Sequence, residues 1–305
     1  MLRITADVFS GRPDPVADLT DEARARAALR ELTRDRELFT VPAEAPTGGL
    51  GLRGFWLEAF DDELARDFGL GSRLYLPAGA QAPAGRTAEV AERLITLAPW
   101  RAAPEEGFAG QTPPVEESFR DFLLGQLAGG GQVSAADRAE PAGGTAAEQP
   151  EITCQIEFGA FNPGFWNDDA NVRAHNNCYN YASNWRTNTF AQPGRGCGHM
   201  YSRITCEEMT RASLCDGMHH RFDCFPDTAK PRYLTALVVI PGGGDFHWYR
   251  KQKEGFWGHK PGSTPARNVD NSGHVIYDPE KADRGPYTIF CGYFYGCDSQ
   301  RRRIR

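Results

Sequence analysis

DFHWYRKQKEGFWGHK, residues 245–260, is the stretch on which the fold turns. It follows YLTALVVI (233–240), a near-continuous β-branched and apolar run of the kind that makes a buried strand. PGGG (241–244) reads as a turn, so DFHWYRK and GFWGHK become two further strands, joined through QKEG. GPYTIFCGYFYG (285–296) is a fourth, aromatic strand. RITCEEMTRASLCDG (203–217) precedes them as a helix, with Thr205 and Glu208 spaced as a capping box and Gly217 as its C-cap. This half of the chain therefore predicts helices first, then an antiparallel meander.

The first half is built differently. LRITADVF (2–9) alternates apolar and polar residues as a strand does, and SGRPDP (10–15) stops it. LTDEARARAALRELTRDR (19–36) is a helix capped by Thr20 or Asp21. RLYLPA (73–78) is strand-like, while TAEVAERLITLA and ESFRDFLLGQLAGG are two more helices. Between the halves, residues 128–150 hold Ala, Gly, Ser, Pro and charges with hardly an apolar anchor, which predicts a flexible linker. The expected organisation is α+β: a small amino-terminal α+β domain over 1–127, the linker over 128–150, and a second domain over 151–305.

In the 305 residues, 40% hydrophobic and 11% aromatic content is that of a globular chain, and a net charge of -6 gives no reason to expect nucleic acid. No apolar run approaches the roughly 20 residues that span a bilayer, so no membrane partner is expected. The start, MLRITADVFSGRPDP, lacks the apolar core of a signal peptide. The expectation is a cytoplasmic protein, or one exported by a leaderless route. All eight cysteines follow residue 150. A cytosolic chain of this size does not need a disulfide framework, so ordinary buried thiols, or one opportunistic disulfide, are expected.

HNNCYNYASNW (175–185) places a cysteine among polar residues where a helix can start, with Asn176 and Asn177 as caps. A thiol there feels the positive end of the helix dipole, which favours the reactive thiolate. An imidazole is the usual base. If three residues, Gln252–Glu254, connect the two strands, the paired positions sum to 506 and His247 directly faces His259. A four-residue connection would put the two on opposite faces, and the sequence does not decide between them.

A cysteine opening a helix, then a histidine on a strand, then a polar residue on the next strand resembles the papain-like superfold, in its NlpC/P60 variety. There the third residue is often a second histidine about a dozen positions on, and His259 follows His247 by twelve. The resemblance covers roughly 151–297 and rests on order and spacing. NNCYNY departs from the Asp-Cys-Ser-Gly of the family, and His247 follows Cys178 by 69 positions, a long spacing. It implies a cysteine hydrolase or acyltransferase, a peptidase or amidase in kind, that cleaves an amide or ester through a thioester without a cofactor. Cys178 would be the nucleophile, His247 the base and His259 the residue that orients it, with Asn268, Asp270 or Asn271 as alternatives to His259. Asn177 would help hold the oxyanion. Phe165, Trp166 and Asn167 would contact a peptide or small amide substrate. HWYRKQKEGFWGHKPGSTP and FAQPGRGCGHM also resemble segments of bacterial proteins of unassigned function.

A competing reading is non-enzymatic. Cys206, Cys215, His219, His220 and Cys224 are of the types zinc prefers, although no C-x-x-C pair is present. Residues 1–127 would then offer a second surface for a protein partner.

Overall fold

The computed structural model describes residues 1–40, 48–69, 73–79, 82, 85–104, 114–129, 156–220, 230–301 and 303–305. The chain forms two compact units: Met1–Phe9 with Pro13–Gln132, and Ser10–Arg12 with Val133–Arg305. Most of the expected linker, and Cys154 and Cys224, lie outside the described residues.

The first unit is α+β. Its sheet holds β1 (Leu2–Asp7), β2 (Val16–Leu19), β3 (Gly54–Ala59) and β4 (Arg73–Pro77) in the order β2-β1-β3-β4, each pair antiparallel. Helices α1 (Glu22–Leu32), α2 (Asp62–Asp67), α3 (Arg86–Leu97) and α4 (Phe119–Leu127) accompany it. Asp21, not Thr20, caps α1, its side chain accepting from the Arg24 N–H. The alternation in β1 buries Leu2, Ile4 and Ala6, with Phe55, Leu76, Val90 and Leu94 in the core beside Ile4 and Ala6. Beneath this core Arg53 donates to Asp7 at 2.7 Å, and the Tyr75 hydroxyl donates to the same carboxylate at 3.0 Å. A buried charge survives only when paired in this way.

The second unit is also α+β. It carries α5 (Gly164–Asn167), α6 (Ala170–His175), α7 (Cys178–Ser183) and α8 (Cys206–Cys215), then β5 (His219–His220), β6 (Tyr233–Val239), β7 (Phe246–Lys251), β8 (Trp257–His259) and β9 (Ile289–Gly296), and ends in α9 (Asp298–Arg301). The strand order is β5-β9-β6-β7-β8, antiparallel throughout. The meander holds for β6, β7 and β8. The last strand instead returns to the far edge of β6, so the sheet is wider than a meander. Phe246 and Trp248 of β7 join Cys178, Tyr179, Leu237, Val239 and Phe294 in a core that α7 helps to form.

The expected strand register is corrected. Tyr249 pairs with His259 and Lys251 with Trp257. The connection is longer than three residues: the Gln252 N–H donates to the Phe256 carbonyl at 2.9 Å, and Gly255 takes a φ of 91° that favours glycine. Because the register moved by two, the parity is unchanged, and His247 remains on the face of His259 as a diagonal neighbour. The capping box of α8 is half made. Thr205 accepts from the Glu208 N–H, but the Glu208 carboxylate bonds Ser202 and Arg211.

A buried histidine pair and the tripeptide seated on it

Helix α7 starts where the sequence places it. Asn177 caps it by accepting from the Tyr179 and Asn180 N–H groups, and the Asn180 side chain returns a bond to the Asn177 N–H. This is a capping box made by two asparagines. Cys178 is the first helical residue and is fully buried. Its thiol points at the Phe246 carbonyl, 3.9 Å away.

The expected activation of that thiol is overturned. Burial in the core pushes its pKa well above the ordinary value, and the nearby Asp245 carboxylate adds to the rise. The Trp248 N–H and the Ser10 hydroxyl pull the other way and are outweighed. Desolvation disfavours the thiolate here more than the helix terminus favours it.

His247 and His259 are brought together, with His247 Nε2 and His259 Nδ1 2.9 Å apart. His259 Nε2 lies 2.9 Å from the Val269 carbonyl, which can only accept, so Nε2 carries a hydrogen. Burial lowers the His259 pKa to about 4, so its ring is neutral at pH 7 and Nδ1 is a bare acceptor. His247 must then donate from Nε2. On the other side, His247 Nδ1 lies 2.9 Å from Ser10 Oγ. A neutral His247 accepts the hydroxyl proton there. A charged one would turn that proton to the Phe246 carbonyl, 3.1 Å from Ser10 Oγ.

Ser10 does not arrive alone. Asp245 accepts from three successive backbone N–H groups, those of Ser10, Gly11 and Arg12, at 2.6, 3.1 and 2.9 Å. The Gly11 carbonyl accepts from Asn177 Nδ2 at 2.7 Å and Gln192 Nε2 at 2.8 Å. The Gly262 N–H donates to the Ser10 carbonyl, and Arg12 Nη1 donates to the Gly244 carbonyl. A Cβ on Gly11 would stand 2.6 Å from the ring and the carbonyl of Phe246, so only glycine fits there.

Lys260 completes the neighbourhood. Its buried ammonium donates to the carbonyls of Arg173, Asn176 and Gly262 at 2.5–2.6 Å. That ties the end of α6 to the segment after β8. Desolvation lowers its pKa to about 7.

The other expected site residues fall elsewhere. The Asn177 side chain is spent on the cap, Gly11 and Ala191, so it holds structure and no oxyanion. Trp166 is buried against Tyr181, and Asn167 bonds both backbone groups of Ala266. Of that trio Phe165 alone is exposed, under the Arg186 guanidinium at 3.4 Å. His259 bonds the backbone of Val269, not the side chains of Asn268, Asp270 or Asn271. Asp270 instead ties its own loop, accepting from Ser272, His274 and Asp283 N–H groups.

The zinc alternative loses two ligands to disulfides. Cys197 joins Cys215 and Cys206 joins Cys291, with Cα separations of 6.0 and 5.1 Å. Sulfurs in disulfides do not ligate zinc as thiolates. Among the described residues, no group of three or more His, Cys, Asp or Glu could hold a metal ion. No described helix is long and apolar enough to cross a membrane.

Sequence reasoning missed Ser10, Gly11, Arg12, Asp245 and Lys260. SGRPDP reads as a strand stop, and nothing local ties position 10 to position 245.

No family model matches the chain. No solved structure matches it. Insoluble matrix shell protein 1 of Ruditapes philippinarum is 50% identical over 133 residues, which are 44% of this chain and 86% of that protein. A shell matrix protein overturns the expected function, a cysteine-dependent hydrolase or acyltransferase working through a thioester. With it go the hydrolase, peptidase and amidase descriptions, and the expectation of a bacterial source meets a mollusc instead. With half the aligned residues identical across most of the relative's length, the chain belongs to the family of insoluble matrix shell protein 1.

Proposed function

We propose that this protein is a structural component of a proteinaceous matrix and acts by binding a protein or matrix partner. The identity shared with insoluble matrix shell protein 1 carries this reading. The disulfides support it. Cys197–Cys215 and Cys206–Cys291 are bonds that persist in oxidising surroundings. We therefore place the working protein outside the reducing cytoplasm, in contrast to the cytoplasmic expectation. In this reading the Cys178 thiol is a packing group and the His247–His259 pair a pin between strands. The ring contacts fit such a role: Tyr249 stacks on His259 with centroids 5.2 Å apart.

The test is to express the full tagged chain in the cells that make it and to extract their secreted material in steps. Buffer comes first, then denaturant, then denaturant with reductant. The chain is expected in the insoluble fraction, and peptide mapping without reductant should find both disulfides. Recovery with the soluble cytosol, with Cys197, Cys206, Cys215 and Cys291 as free thiols, would overturn the proposal.

A further inference from the structure

The geometry points to the Asp245–Asn177–Gln192 socket as an assembly site, one that accepts the Ser10–Gly11–Arg12 segment of a second copy of this chain. This deepens the matrix reading, on which it rests, by naming the partner.

The socket has the properties of a peptide-recognition site. It reads backbone: one carboxylate takes three consecutive N–H groups, two side-chain amides take the Gly11 carbonyl, and the Gly262 N–H takes the Ser10 carbonyl. It reads side chains too. The Ser10 hydroxyl meets His247, Arg12 meets the Gly244 carbonyl, and the close approach of Phe246 admits only glycine between them. Burial raises the Asp245 pKa and the Ser10 and Gly11 N–H bonds pull it back down, so the carboxyl depends on the seated backbone for most of its partners in a site closed to water.

The socket-forming residues lie at 177–262 and the seated tripeptide at 10–12, far apart in sequence. No bond within the socket distinguishes a tripeptide of its own chain from the same tripeptide of another. Exchange of an identical element between copies makes no new interface and breaks none, so its net cost is small. Within one chain the segment competes at a high effective concentration. Exchange therefore wins only where the protein is concentrated, as in a solid matrix. An exchange that is not reciprocal leaves one socket and one segment open and can propagate into a polymer.

Two complementary variants test this in the full chain. Gly11→Val keeps the socket and spoils the segment. Asp245→Asn keeps the segment and spoils the socket. Each alone should stay monomeric by light scattering, while an equal mixture should form a heterodimer. A fluorescent peptide of residues 7–15, DVFSGRPDP, should bind the Gly11→Val protein saturably and bind Asp245→Asn at least tenfold more weakly. A scrambled peptide should bind neither. No heterodimer and no peptide binding by folded variants would overturn the inference.

If either variant fails to fold, the wild-type chain decides. Its mass should rise with concentration, and excess peptide should return it to monomer. A monomer at every concentration, or an oligomer indifferent to the peptide, would sink segment exchange. Retention in the insoluble fraction together with peptide-blind oligomers would defeat this inference and leave the matrix reading standing. Soluble cytosolic protein with peptide-sensitive oligomers would do the reverse.

Discussion

At the scale of the residue, the second unit is pinned by buried polar groups whose charge states follow from their surroundings. Asp216, at the end of α8, accepts from the Tyr179 hydroxyl at 3.0 Å and the Gly194 N–H at 2.7 Å. Burial still outweighs those bonds and raises its pKa to about 6. The sign follows from linkage. The folded state holds this proton more tightly than the unfolded chain does, so the contribution of the group to stability falls as pH rises from about 4 to about 6. Asn in its place keeps an acceptor for both bonds and carries no charge. Asp216→Asn is therefore expected to gain on the wild type between pH 4 and pH 8, by on the order of 3 kcal/mol. Urea midpoints at the two pH values measure it. A gap that does not change with pH would show that Asp216 is not a destabilising charge.

At the scale of the element, helix α8 is fastened at both ends. Its first residue, Cys206, is tied to Cys291 of β9, and its last, Cys215, to Cys197 in the preceding loop. The bonds close chain segments of 85 and 18 residues. In the chain-entropy account a longer loop loses more freedom in the unfolded state, giving about 4.5 kcal/mol for the first and about 3 for the second. Replacing both cysteines of a pair by serine should therefore cost more for Cys206/Cys291 than for Cys197/Cys215, by about 1.4 kcal/mol. Thermal denaturation of the two double variants gives the order. The reverse order would mean that local packing, not loop closure, sets the value of these bonds.

At the scale of the molecule, the two units have separate cores and different chemistry. One core gathers around Ile4, Phe55 and Leu94, the other around Cys178, Trp248 and Phe294. Met1–Phe9 and Pro13–Gln132 contain no cysteine, whereas both described disulfides lie in the second unit. Calorimetry of the whole chain is expected to show two transitions, of which reductant lowers one and leaves the other in place. If one transition shifted as a whole, the units would be a single cooperative body.

The sequence by itself determined the elements whose cause is local. The period-two alternation in β1, the apolar run of β6, the starts of α1, α7 and α8 to within a residue, and the α+β class are all set by neighbours a few residues apart. The shared face of His247 and His259 was left open by the sequence, because a three-residue connection keeps the two on one face and a four-residue one separates them; the register Tyr249–His259 decides it. What the tertiary structure decided was distant in the chain or a matter of environment. The place of β9 beside β6, the pairing of Cys206 with Cys291, and the seating of Ser10–Arg12 on Asp245 join positions that no local pattern links. The state of Cys178 was decided there too. A helix terminus favours a thiolate, but the depth of the core around it does not appear in the sequence, and at full burial the cost of desolvating a charge is the larger effect.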